Sequence, residues 1–69
     1  MKISARNVIL GKIVAVNKGT TTADVRMDIG QGKIITASIT NEAVDDLGLK
    51  VGMSVSAVIK SSDVLVATE

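Results

Sequence analysis

From Thr20 to Ile29 the chain alternates residue by residue. Thr21, Ala23, Val25, Met27 and Ile29 share one parity, and Thr20, Thr22, Asp24, Arg26 and Asp28 the other. A period of two predicts a half-exposed β-strand. Gly30-Gln31-Gly32 then has the composition of a hairpin turn. Lys33 to Thr40 resumes the alternation, with Ile35, Ala37 and Ile39 inward and Thr36, Ser38 and Thr40 outward. This hairpin fixes the rest of the reading. A first strand is expected from about Asn7 to Val16, ending at Asn17-Lys18-Gly19. After the hairpin, Thr40 or Asn41 can cap a short helix, with Glu42 in its first turn and Val44 and Leu47 three apart on one face. Gly48 suits its C-terminal cap, and Leu49 would cover that end. Beyond Lys50-Val51-Gly52, a fourth strand is expected from about Met53 to Lys60 and a fifth from about Asp63 to Thr68. Three strands, a helix and two strands is the order of an all-β, OB-like five-stranded barrel with one short helix between strands three and four.

A chain of 69 residues makes one domain, spanning residues 1–69. Domains near this size bury only ~60% of their unfolded surface, so small chains generally need extra support. The absence of Cys rules out a disulfide and removes any need for an oxidising compartment. Without Cys or His a structural zinc site is implausible as well. Association between copies is what remains. Strand one agrees, because it is apolar on both parities: Val8, Leu10, Val14 and Val16 on one, Ile9, Ile13 and Ala15 on the other. Strand five repeats this, with Val64 and Val66 opposite Leu65 and Ala67. One face can fill a barrel; the second needs cover, and an oligomer is expected.

Two short polar clusters flank this apolar framework: Ser4-Ala5-Arg6-Asn7 near one end and Lys60-Ser61-Ser62 near the other. Both are rich in hydrogen-bond donors. A tetrahedral oxyanion presents oxygens and, when fully deprotonated, no hydrogen, so its site is built from Arg, Lys, hydroxyl and backbone N–H donors. Arg6 offers a rigid fork of donors and Lys60 a compact charge, while Ser4 and Ser61 each donate one hydroxyl proton. A site without acceptors also rejects protonated phosphate, whose proton it would leave unpaired. Spacing alone leaves another account open: a polar N-terminal arm and an ordinary turn between strands four and five.

A resemblance separates the two accounts. Ser4-Ala5-Arg6-Asn7 followed by Gly11 and Ile13, then Lys18-Gly19 and Thr22-Ala23-Asp24-Val25, resembles the opening of the molbindin (Mop) family of molybdate-binding proteins. The likeness resumes in Ile39-Thr40, in Leu47-Gly48-Leu49-Lys50-Val51-Gly52 and in Val55 to Ser61, and so covers essentially the whole chain. The resemblance implies an OB-like barrel assembled as a homo-hexamer, a trimer of dimers, binding molybdate or tungstate between subunits. Carried over, Ser4 and Arg6 come from one subunit's arm, with Asn7 fixing that arm, and Thr40, Lys60 and Ser61 from a neighbour. A second kind of site lies near the threefold axes, for which Lys18-Gly19-Thr20 is the candidate. One departure is Ala43, where family members can carry a Ser hydroxyl; it removes a possible donor. Intracellular molybdenum storage or homeostasis is the role that fits a chain of this kind.

Other classes fit less well. An OB-fold nucleic-acid module stacks bases on aromatic side chains in a basic groove, whereas this chain has no aromatic residue and a net charge of +1. A swapped-hairpin DNA-binding regulator shares the Leu47-Gly48-Leu49…Gly52 pattern but would place more Arg and Lys on one face. An enzyme would have to work with carboxylates, Lys or Ser alone, and no catalytic constellation is visible. Asp45-Asp46 reads as a solvated helix face. No apolar run approaches the ~20 residues of a membrane span, and Met-Lys-Ile-Ser is no signal peptide, so a cytoplasmic protein is expected.

Overall fold

The computed structural model describes residues 2–69. Four antiparallel strands form one curled sheet in the order β3-β2-β1-β4. They are β1 (Asn7–Lys18), β2 (Thr22–Gly30), β3 (Lys33–Thr40) and β4 (Ser54–Ile59), with the helix α1 (Asn41–Leu47) between β3 and β4. The β2–β3 hairpin is the one the alternation predicted. Gly30 pairs with Lys33 across a two-residue turn, and both Gln31 and Gly32 have positive φ, as hairpin turns of type I′ require. Ala23, Val25 and Met27 point into the core opposite Ile39, Ala37 and Ile35.

Strand β1 departs from simple alternation. Its register to β2 runs Lys12↔Asp28 and Ile13↔Met27, then jumps to Ala15↔Arg26 and Val16↔Val25. Val14 is therefore the extra residue of a β-bulge, and side-chain parity reverses across it. Val16 joins Ile9 and Ile13 against the core rather than sharing a face with Val8 and Leu10. Ile13 bonds on the side away from β2, donating its N–H to the Met53 carbonyl at 2.9 Å and accepting from the Gly52 N–H at 2.8 Å, where the chain leads into β4. With its side chain only 1% exposed, Ile13 is the pivot on which the sheet curls.

The curl also needs Gly11. A Cβ there would lie 3.1 Å from the Asp28 carbonyl oxygen and 3.2 Å from an Ile29 methyl group. Gly11→Val should destabilise the fold by about 2 kcal/mol, the usual cost of forcing extra carbon into a filled space. A shift in denaturant midpoint at unchanged slope would register it; a midpoint equal to that of the parent would show that β2 can give way.

Helix α1 is closed at both ends as its sequence suggested. The Thr40 hydroxyl accepts from the Ala43 N–H at 3.0 Å. At the other end Gly48 turns left-handed at φ 64°, its N–H reaching the Asp45 carbonyl while the Leu49 N–H reaches that of Val44, both at 3.1 Å. This pair of bonds is a Schellman cap, and Gly is the residue that enters its left-handed position without strain. Val44 is buried beneath the helix, but Leu47 is 62% exposed.

The expected fifth strand does not form within the chain, so the barrel is a four-stranded curled sheet. Ser61–Asp63 make a 3₁₀ turn, and residues 64–69 join no ladder. Their apolar alternation marks extended backbone, with Val64 at φ −92° and ψ 124°. A strand also needs a neighbour to bond with, and none of the described strands offers these residues one. Leu65 and Val66 are each 92% exposed. Between the unpaired edges of β3 and β4 lies an open apolar trough of about 680 Å³, lined by Ile13, Met27, Ile35, Leu49, Met53 and Val55 among others. No helix among the described residues is long and apolar enough to cross a membrane.

Candidate functional site

The longest-range pairing in the sheet builds the site. β1 and β4 run antiparallel from Lys12↔Ser54 to a last rung at Asn7↔Ile59. Arg6 immediately precedes that rung and Lys60 immediately follows it, so the two polar clusters leave the sheet side by side. Ser4, Ala5, Arg6, Lys60, Ser61 and Ser62 together line a cavity of about 310 Å³. Across the last rung, the Asn7 side-chain amide donates to the Ile59 carbonyl at 3.2 Å.

The lining contributes a guanidinium, an ammonium and three hydroxyls, and no carboxylate. Arg brings five N–H donors in a fixed fork and Lys three, and neither can accept. The salt bridge found among the described residues, Lys18 to Asp45, lies elsewhere, so Arg6 and Lys60 keep their charge unpaired. Such a pocket presents two positive charges and convergent donors to whatever enters it. That is the complement of a small, fully deprotonated anion.

The remaining expected site residues lie at the far end of β1. Lys18, Gly19 and Thr20 form the turn into β2, and Thr22 pairs with Thr40 where β3 ends. The Gly19 N–H donates to the Thr22 carbonyl at 2.7 Å. Thr40 is committed to capping α1, though its own hydroxyl proton stays available. Within one chain, then, Ser4, Ala5, Arg6, Lys60 and Ser61 are brought together, with Asn7 adjoining them. Lys60 and Ser61 already stand beside Arg6 of their own chain, rather than reaching it only from a neighbour as the resemblance implied. Lys18, Gly19, Thr20 and Thr40 are not part of this group. Two features of that far end escape the one-dimensional reading. Asn41, considered there only as a cap, clamps the turn: its side-chain amide donates to the Gly19 carbonyl at 2.9 Å and its backbone N–H to the Thr21 carbonyl at 2.9 Å. Asp45, read as solvated, pairs with Lys18. Ser62 also joins the first cavity, which its place beside Ser61 already suggested.

Comparison with known proteins bears on this arrangement. Residues 3–66 match the model of the TOBE domain. The chain belongs to the TOBE-domain family. Among its relatives, molybdenum-pterin-binding protein 3 of Clostridium pasteurianum is 48% identical over 66 residues, covering 96% of this chain and 97% of the relative. A molybdate-binding protein from Sporomusa ovata superposes with a TM-score of 0.93 at 37% identity, over 99% of this chain and all of the other. The cytoplasmic molybdate-binding protein ModG, solved with molybdate bound, superposes with a TM-score of 0.89 at 43% identity. It covers 94% of this chain, which in turn spans 46% of ModG. The likeness to the molbindins first suggested by Ser4-Ala5-Arg6-Asn7 thus extends to the whole length and to the three-dimensional course of this TOBE domain.

Proposed function

We propose that this protein binds molybdate, and tungstate in the same way, through the donors of Ser4, Arg6, Lys60 and Ser61, in a homo-hexamer that stores molybdenum in the cytoplasm. The observation that carries this reading is the convergence of both polar clusters at the last β1–β4 rung, in a pocket with no carboxylate in its lining. A pocket with two cations and no carboxylate favours an anion that carries no proton at neutral pH. Molybdate and tungstate share charge and nearly share size, so one donor set serves both. Sulfate has shorter bonds, so a donor set spaced for the larger anion would meet fewer of its oxygens. The relatives' names and the molybdate bound in ModG support the same ligand.

Assembly completes the site in this reading. Thr40 and the Lys18-Gly19-Thr20 turn lie at the opposite end of β1 from Arg6, so they can meet an anion at the first pocket only from another copy. Hexamer formation, as a trimer of dimers, would supply that neighbour and place a second set of sites at the Lys18-Gly19-Thr20 turns. It would also cover Val8, Leu10 and Val58, which lie exposed on the outer side of the β1–β4 ladder.

Native mass spectrometry of the protein mixed with equimolar molybdate, tungstate, sulfate and phosphate tests assembly and ligand together. The expected spectrum is a hexamer retaining several molybdate or tungstate ions and excluding the other two. A monomer or dimer with no retained anion would sink the proposal.

A further inference from the structure

Lys18, Gly19 and Thr20 hold one charge between them, and that charge is already engaged. The Lys18 ammonium pairs with the Asp45 carboxylate, joining the end of β1 to α1 across 27 positions of sequence. The Gly19 N–H is spent on the Thr22 carbonyl at 2.7 Å. The Gly19 and Thr20 carbonyls accept from the Asn41 side-chain amide at 2.9 and 3.4 Å. The side chains of this turn can therefore offer an anion the Thr20 hydroxyl and a lysine that must first leave its partner. The first pocket has no such competitor: no carboxylate lines it, and neither Arg6 nor Lys60 is paired among the described residues.

The pair can open readily. Its two side chains are 46% and 66% exposed, so water screens it and it contributes little by itself. Nor does α1 gain from the charge. Asp45 lies in the last turn of the helix, where a carboxylate faces the negative end of the helix dipole, and that turn holds no basic residue.

We propose that Asp45 is a gate on the second set of sites: it occupies Lys18 until an anion displaces it, so the Arg6–Lys60 pockets fill before the Lys18-Gly19-Thr20 turns do. The proposal rests on the anion-binding reading above and names what regulates its second site. An anion arriving at the turn has to break the Lys18–Asp45 pair and then lie beside a freed carboxylate of its own sign. Both effects lower affinity there, and neither acts at the first pocket. The protein then takes up its ligand in two stages, the tighter at low concentration and the weaker once the first is full.

Titration calorimetry with molybdate reads the second set by itself in an Arg6→Ala background, where the first pocket is weakened. Adding Asp45→Asn there should tighten binding about fivefold, the upper end of what an exposed ion pair contributes. Asp45→Glu keeps the charge and should keep the weaker binding. Damage to the fold lowers affinity, so a gain separates a gate from a structural role. Adding Lys18→Met to Asp45→Asn should remove most of the gain, because Asp45 acts through Lys18. An Asp45→Asn protein that binds no more tightly than its background overturns the gate. So does a gain that survives Lys18→Met in full, which would make Asp45 a general repellent of anions. No binding at the turn, with or without Asp45, removes the second site together with its gate. A parent protein that retains no molybdate overturns the anion-binding reading instead, a result visible before any variant is compared.

Discussion

Arg6→Ala is expected to fold and assemble like the parent while losing about 3 kcal/mol of molybdate affinity, roughly 150-fold. The expectation follows from where Arg6 stands. It is exposed, precedes β1 and takes part in no salt bridge among the described residues, so the folded framework does not depend on it. Within the pocket it supplies one of two positive charges and the only planar fork of donors. Removing it leaves Lys60 to balance a doubly charged anion alone. Arg6→Lys should fall between the two, because the charge survives and the fork does not. Titration calorimetry measures the affinity, and circular dichroism with light scattering checks fold and size. An Arg6→Ala protein that bound molybdate as tightly as the parent would remove Arg6 from the site.

The other large effect concerns the tail. Replacing both Leu65 and Val66 by Glu should convert the proposed hexamer to smaller species at micromolar concentration, as read by size-exclusion chromatography with light scattering. Both side chains are 92% exposed within one chain, and the apolar trough between β3 and β4 has no strand of its own chain to close it. Burying such side chains contributes on the order of 1.5–3 kcal/mol each, and the substitution replaces that with charges that resist burial. Molybdate affinity should fall in parallel, since Thr40 and the Lys18-Gly19-Thr20 turn then have no neighbour to serve. A double variant that kept its full size would show that the tail takes no part in assembly. One that dissociated yet bound molybdate fully would place the whole site within a single chain.

Most of the framework was legible because its signals are local. The β2–β3 hairpin, both caps of α1 and the start of β1 each depend on residues within a few positions of one another. The bulge was hidden because Val14, Ala15 and Val16 are all apolar, so no change of pattern marks which residue is extra. The fifth strand was over-read for a related reason: alternation reports an extended, apolar backbone and is silent about who pairs with it. The Lys18–Asp45 pair and the Asn41 clamp join residues 27 and 22 positions apart, and no single-sequence spacing signals them. The site occupies the middle ground. Its residue types were plain, but their meeting within one chain depends on the Asn7↔Ile59 rung. Residue spacing could not signal that rung, and the family likeness, placing Lys60 and Ser61 on a neighbour, did not suggest it.

That rung also sets an order of events in folding. The Asn7 and Ile59 partners are 52 residues apart, whereas β2 and β3 meet across a two-residue turn. Short hairpins form in microseconds, and contacts that close long loops come later because they must first overcome chain entropy. During synthesis the β1–β2–β3 meander can therefore assemble while β4 has yet to leave the ribosome. Arg6 then waits without Lys60 beside it, and the pocket that the two line is incomplete. In the proposed reading, anion binding arrives with the last strand, and a nascent or shortened copy without β4 is expected not to compete with finished ones for molybdate.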